Sequence, residues 1–416
     1  MIGRAVQLGL TFIIGMVVTR YLGPTEFGKM NYVYSYIQLF LPLCTLGLND
    51  IAAKELVDNK QDQNKIVGTM AILRVFTSIV FMFCATQIVY MLKGSSVYRE
   101  IAFLQSFSLL FQSFDCIAYF YQANLLTKKN GIIYALSYIL TTIFRIIAIV
   151  LKKDIFWFAF AMSLDFAMIA LLFIFTYLKD GNKFEFSFDA AKQLLKKSYY
   201  YIISGVLIVV YGKVTDTLLL GNMVNDTSVG YYTAATNLIN AWPFILTAII
   251  DSTAPLIIEE FKIDKDKFKT KIKRLYATIF YIGICAAICI TLLSDFIVLL
   301  LYGKAYMPTS MPLKIASWST TFAYIGVARS IWLQCNDKIK YETYITLFGA
   351  ITNIILNYVL IQRFEIIGAA IALTLTQLLT NFVYLFFMKE TRENAKLIME
   401  AILLKGVFDK EESSNV

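Results

Sequence analysis

Histidine is absent from the 416 residues, which removes every mechanism that needs an imidazole base or a histidine metal ligand. Charge is scarce too. Asp, Glu, Lys and Arg make up 16% of the chain, against roughly a quarter in soluble domains. So few polar residues cannot cover a globular surface, which excludes a soluble enzyme, a secreted disulfide scaffold and a disordered chain. Cysteine is limited to Cys44, Cys84, Cys116, Cys285, Cys289 and Cys335, all inside apolar runs. None lies in an aqueous loop where an oxidising compartment could pair it, so no disulfide is expected. Cys285 and Cys289 share a helix face, but two thiols without two further ligands make no zinc site. They read as packing residues, and no metal or cofactor is expected.

What is present is apolar: 58% of residues are hydrophobic and the mean hydropathy is +0.64. The chain is expected to be an integral membrane protein. A spanning helix needs about 20 mostly apolar residues. Twelve runs approach that length: 5–19, 30–53, 66–92, 101–126, 131–151, 155–178, 198–221, 229–258, 275–301, 311–335, 341–361 and 366–388. The first, between Arg4 and Arg20, is short. Either that helix tilts and its ends snorkel, or the native start lies upstream. It lacks a small-residue cleavage site, so it reads as a span and not a signal peptide.

Lys and Arg in the loops set orientation. With the N-terminus inside, 25 of the 38 basic residues fall in inner segments, 8 in outer loops and 5 within the spans. Both termini are therefore expected in the cytoplasm. The basic loop from Lys262 to Arg274 is a topology signal able to touch anionic lipid; nucleic acid is not expected as a partner. No outer loop exceeds about a dozen residues, which leaves no room for an external catalytic domain. The 33 Phe and 26 Tyr suit an interfacial belt, as at Tyr199-Tyr200-Tyr201.

The two halves overlay. Leu22-Gly23, Phe27-Gly28, Tyr32, Pro42 and Asp50 are answered by Leu220-Gly221, Val229-Gly230, Tyr231, Pro243 and Asp251. Gln122-Ala123-Asn124 is answered by Gln334-Cys335-Asn336. An even number of helices per repeat gives both copies the same orientation, the parallel kind of transporter repeat. The expected architecture is all-α: an N-terminal lobe over 1–196 holding spans one to six, a C-terminal lobe over 197–388 and a cytoplasmic tail over 389–416. Such repeats place the substrate between the halves. Pro42 and Pro243 fall inside spans two and eight, where a proline frees a carbonyl and bends the helix. They read as hinges or as simple curvature.

Ionisable groups at membrane depth default to functional hypotheses. The basic set is Arg74, Arg145, Lys213 and Arg329, which sample both halves of the bilayer as stepping points for an anion would. Snorkelling to an interface is the competing reading. The acidic set is Asp115, Asp165, Asp216 and Asp251. Lys213 and Asp216, three apart, can neutralise one another on one helix face. Asp115 and Asp165 lie near mid-membrane, where a carboxylate needs a proton or a basic partner. Each can carry a coupling ion or serve as counter-ion of Arg74 or Arg145.

Arg20-Tyr21-Leu22-Gly23-Pro24 with Glu26-Phe27-Gly28 resembles the opening of the polysaccharide exporters of the multidrug/oligosaccharidyl-lipid/polysaccharide (MOP) superfamily. Asp216 to Gly221 with Val229-Gly230-Tyr231-Tyr232 resembles their seventh-helix signature. Leu301-Tyr302-Gly303 with Tyr306 is similar to the loop before helix ten, and Asn353 to Asn357 with Ile367 to Ala372 to helices eleven and twelve. The resemblance covers essentially the whole chain. It implies twelve transmembrane helices in two MATE-like six-helix lobes, and a Wzx-type flippase of the bacterial inner membrane. Its substrate would be an undecaprenyl-diphosphate-linked oligosaccharide, the repeat unit of O-antigen or a related surface polysaccharide. A polysaccharide polymerase and a chain-length regulator would be partners, with membrane lipids around it. By position, Arg74, Arg145, Lys213 and Arg329 would line a cationic cavity, and bidentate Arg–phosphate bonds suit a diphosphate. The alternative is an ion-coupled drug or metabolite exporter of the same fold, whose cavity should be acidic and aromatic. A glycan polymerase or glycosyltransferase would need paired carboxylates or arginines in a long outer loop, and no such loop exists.

Overall fold

The computed structural model describes the backbone of residues 2–209 and 215–407, and side chains from residue 12 on within these ranges. Among the described residues the structure is helical, with no strand. Chain contacts divide it into two compact units, Met1–Leu218 and Leu219–Val416.

The first unit opens with α1 (Ile2–Thr45). At 1.5 Å per residue its 44 residues would run about 66 Å, twice the hydrocarbon thickness. It is two helices joined at Gly23, whose φ of 73° only glycine adopts without strain. Pro24 then starts the second helix with its φ already set. After a short turn come α2 (Asn49–Asp58) and α3 (Gln63–Lys93). Next are α4 (Ser96–Gln112) and α5 (Cys116–Ala123), separated by a 3₁₀ turn at Ser113–Asp115. Helices α6 (Thr127–Val150), α7 (Ile155–Lys179) and α8 (Phe188–Val209) follow. The expected lobe boundary at 196/197 falls inside α8, which packs on α1, α2 and α3.

Helix α9 (Thr215–Met223) crosses into the second unit, which continues with α10 (Asp226–Ile239), α11 (Phe244–Ile263) and α12 (Lys265–Leu301). Asn225 caps α10 by accepting from Ser228 N at 2.8 Å, and Asp264 caps α12 by accepting from Asp266 N and Lys267 N. Helices α13 (Ser310–Ala316), α14 (Ser319–Cys335) and α15 (Lys340–Leu378) lead through a π turn at Leu379–Val383 into α16 (Tyr384–Phe387). Helix α15 also is two helices, reversing at Glu365, where φ is 48°. A Cβ on Gly368 would lie 2.2 Å from the carbonyl oxygen of Leu360. Residues eight apart in one straight helix would be about 12 Å apart, so the chain turns back on itself here, and only glycine fits the approach.

By length and composition, seven of the described helices can cross a membrane, or eight if the pair α10–α11, bent by 41°, counts as one. That count takes Phe12–Asp58 and Lys340–Phe387 as single helices, although each is broken as described. Helix breaks also recur at matching places in the two overlaid halves of the sequence. Run two divides at the α1–α2 turn and its counterpart, run eight, at α10–α11. Run four divides at Ser113–Asp115 and run ten at Ser317–Trp318. In lipid, polar side chains and small residues join helices where apolar packing alone gives no drive. Ser78 Oγ bonds the Leu109 carbonyl at 3.0 Å and Ser113 Oγ at 3.1 Å, while Ser163 Oγ bonds the Gln105 carbonyl at 3.0 Å.

Within the segment expected as a tail, residues 389–407 are packed on the helices. They carry α17 (Arg392–Ile402), whose Ala395, Leu397, Ile398 and Ala401 join the buried core around α12. Asn394 Nδ2 donates to the Tyr276 hydroxyl at 2.7 Å in that core.

Candidate functional site

The buried arginines sit beside helix breaks, because a break exposes backbone groups and polar residues that lipid cannot satisfy. Arg74 of α3 is fully buried. Its Nη2 donates to Oδ1 of Asn49 at 2.9 Å, the first residue of α2 after the break. Asp115, on the 3₁₀ turn between α4 and α5, interacts electrostatically with Arg74. Nε and Nη1 of Arg74 have no hydrogen-bond partner among the described residues. This cluster lies inside the first unit's helix bundle, where α2 packs on α5.

Arg145 of α6 pairs with Asp165 of α7 through Nη2 and Oδ2. Both side chains keep a partly open edge, 12% and 14% exposed. Tyr34 of α1, hydrogen-bonded to Gln38, interacts electrostatically with Asp165. Arg74 and Arg145 thus have different carboxylates beside them, a choice that spacing left open.

In the second unit Arg329 of α14 is 2% exposed and donates three ways. Nη2 reaches Glu342 Oε1 at 2.9 Å, and Nη1 reaches Asn381 Oδ1 at 3.2 Å and the Thr380 carbonyl at 3.4 Å. Asn381 lies in the π turn and donates in turn to Gln377 Oε1 at 2.7 Å. Gly326 makes room for it: a Cβ there would be 2.2 Å from Asn381 Oδ1.

Lys213 lies outside the described residues, and with it the pairing expected with Asp216. Asp216 itself is buried at the start of α9, whereas Asp251 is exposed on α11. Pro42 is buried near the end of α1. Pro243 is not inside a helix: with φ −68° it precedes the first residue of α11, at the 41° bend. The first unit thus gathers Arg74 with Asp115 and Arg145 with Asp165, and in the second unit Arg329 pairs with Glu342, not with Asp251. Asn49, Glu342 and Asn381 were missed in the sequence. Glu342 sits two residues into a predicted span, and an Asn carries no charge to draw notice.

Outside the spans, carboxylates bind ordinary cations. Asp180 accepts from Lys129 Nζ at 2.6 Å and from the Tyr121 hydroxyl at 2.7 Å. The Lys129 bond, ahead of the tyrosine's, holds its carboxyl below the usual range. Asp264 is held low by the backbone N–H groups of Lys267 and Asp266 that it caps. Among the described residues no group of three or more Cys, Asp or Glu could hold a metal ion.

The family described as "Polysaccharide biosynthesis protein" matches residues 1–261, and the MatE family matches residues 202–359. A capsular polysaccharide biosynthesis protein, CapF of Staphylococcus aureus, is 22% identical over 91% of this chain and 94% of its own. A putative O-antigen transporter of Escherichia coli (strain K12) is 21% identical over 93% of this chain and 95% of its own. Among solved structures, an inward closed form of the lipid II flippase MurJ matches with a TM-score of 0.75 at 16% identity, over 97% of this chain and 90% of that one. An inward-facing MATE transporter of the MOP superfamily matches at 0.71 and 12% identity, over 95% and 99%. At these identities the structures speak for the fold alone, an all-helical membrane fold of the MOP/MATE kind. The family model spans more than half of the chain, so the protein belongs to the polysaccharide biosynthesis family and is a multi-pass, Wzx-like member of the MOP superfamily.

Proposed function

We propose that this protein is a flippase, not an enzyme, that moves undecaprenyl-diphosphate-linked oligosaccharide from the inner to the outer leaflet of the bacterial inner membrane. The observation that carries this reading is the family match over 1–261, supported by relatives named for capsular polysaccharide and O-antigen. Twelve crossings in two six-helix lobes, both termini in the cytoplasm and alternating access complete the reading. The paired breaks in runs two and eight, and four and ten, support the repeat. A polysaccharide polymerase and a chain-length regulator would take the product onward.

Of the four basic residues, Arg145 is the best suited to bind a diphosphate. It already holds one carboxylate, Asp165, at a partly open edge, and a phosphate can replace that partner on the planar guanidinium. Arg74 and Arg329 tie helix breaks together, and Lys213 joins the phosphate-binding set. Asp165, once released, is a candidate to take a coupling proton, with Asp115, Asp216 and Asp251 as the other candidates. Pro243, at the bend, is the better hinge of the two prolines.

The second reading is an ion-coupled exporter of drugs or metabolites, which the MatE match over 202–359 favours. The test is complementation of a bacterial strain lacking its O-antigen flippase, with a matching repeat unit supplied and surface polysaccharide read on a gel. A restored ladder that Arg145→Ala abolishes supports the flippase. No ladder, together with drug efflux from cells expressing the chain, moves the assignment to the exporter.

A further inference from the structure

The basic stretch that orients the chain also builds one wall of a groove. Helix α12 enters its apolar run immediately after Arg274, and the next twenty residues carry no charge. Arg274, Ala277, Thr278 and Tyr281 follow at helical spacing and share one face of α12. Opposite them stand Leu404 and Val407, on the turn that ends α17, and together they line a cavity of about 540 Å³. The two walls are tied together. The Tyr281 hydroxyl donates to the Ile402 carbonyl at 2.9 Å, Arg274 Nε to the Val407 carbonyl at 2.9 Å, and Lys273 Nζ to Glu400 Oε2 at 3.3 Å. The turn itself is held by left-handed Leu404 and Gly406.

We infer that this groove binds an acidic phospholipid, its phosphate at Arg274 and its acyl chain along Ala277, Leu404 and Val407. Charge complementarity names the occupant. Segments 262–274 and 389–407, which pack together, hold eleven basic and five acidic residues. Of the carboxylates nearby, Glu400 lies against Lys273, Glu393 against Lys269 and Glu260 against Lys271. The groove sits where a charged helix segment meets a run of membrane-spanning length, the level at which basic residues meet lipid headgroups. Beyond Arg274 its walls are mostly apolar, with Ala277, Ile282, Leu404 and Val407 against the two polar members Thr278 and Tyr281, as an acyl chain requires. The lipid would brace α17 against α12 in the leaflet that the topology places inside.

The test uses the full-length purified protein and native mass spectrometry after exposure to equal amounts of phosphatidylglycerol and phosphatidylcholine. Phosphatidylglycerol is expected to be retained preferentially. Arg274→Gln should lower its retention about fivefold, the worth of one basic residue at a charged surface. Thr278→Trp, which fills the groove from an exposed position, should abolish the preference with an unchanged melting temperature. Equal retention of the two lipids overturns the inference, as does retention untouched by Thr278→Trp. Retention seen only after deletion of residues 408–416 overturns it too, since the chain's own end is then the occupant. None of these readouts depends on transport, so the site stands or falls apart from the flippase reading.

Discussion

Arg74 in the first unit and Arg329 in the second are both buried arginines beside helix breaks, yet they are held differently. Arg329 donates to a carboxylate, an amide and a carbonyl. Arg74 donates to one neutral amide, with Asp115 acting through space. A buried charge is tolerated when its hydrogen-bonding capacity is met. The second unit meets most of it with a network spanning α14, α15 and the π turn, leaving Arg329 Nε and Glu342 Oε2 without a partner among the described residues, whereas the first leaves two of Arg74's three nitrogens so. Arg329 is therefore a structural cross-brace. Arg74 is a buried charge with one hydrogen bond in a bundle interior, and neither is arranged as Arg145 is, in a single pair with an open edge.

The largest effect should come from Arg145→Ala, which removes the proposed phosphate-binding group: surface polymer should fall at least about tenfold, one lost charge-assisted bond of about 1.5 kcal/mol, with membrane insertion intact. Full polymer from this variant would return Arg145 to a structural role. Arg329→Ala should lower stability by about 3 kcal/mol, because Asn381 and Glu342 lose their shared donor. Melting in detergent reads this, and an unchanged melting temperature would erase the contrast between the two units. Arg74→Gln keeps a donor for Asn49 and discards a poorly satisfied charge, so its cost should be smaller, about 1 kcal/mol. A larger loss for Arg74→Gln than for Arg329→Ala would reverse the comparison.

Gly326→Ala sharpens the second unit's side. The added methyl must displace Asn381, costing about 1–2 kcal/mol through overpacking. Combined with Arg329→Ala it should cost less than the sum, since both act on Asn381.

The smallest effect concerns pH. Asp180 is held below its ordinary carboxylate range by Lys129. Its contribution is present in full above the unfolded value of about 3.9, and is lost as pH falls through the lower folded value. Asp180→Asn should therefore cost under about 1 kcal/mol at neutral pH, less in high salt, and nothing in strong acid. A cost that persists in acid would mean the side chain acts by packing.

Much of the fold was legible in the sequence because lipid enforces it. A backbone in hydrocarbon must satisfy its own hydrogen bonds, so a long apolar run such as 66–92 reads directly as α3. The charged positions Arg74, Arg145 and Arg329 were equally visible, since nothing hides an ion in an apolar run. Breaks within runs were less visible. The divisions at Ser113–Asp115 and Ser317–Trp318 carry no proline, and only packing marks them. Their partners were harder still. Asn49 is 25 residues from Arg74, Asp165 is 20 from Arg145, and Asn381 is 52 from Arg329.

Composition and spacing by themselves determined that this is a membrane protein of many apolar helices, with a few ions inside the apolar runs. Those properties depend on the free energy of moving each residue from water to lipid, which is local and additive along the chain. Only the tertiary structure decided that Asp165 belongs to Arg145, that Glu342 and Asn381 belong to Arg329, and that α17 lies on α12. Such choices depend on which helices touch and where they break, and that is set by close packing between segments far apart in sequence.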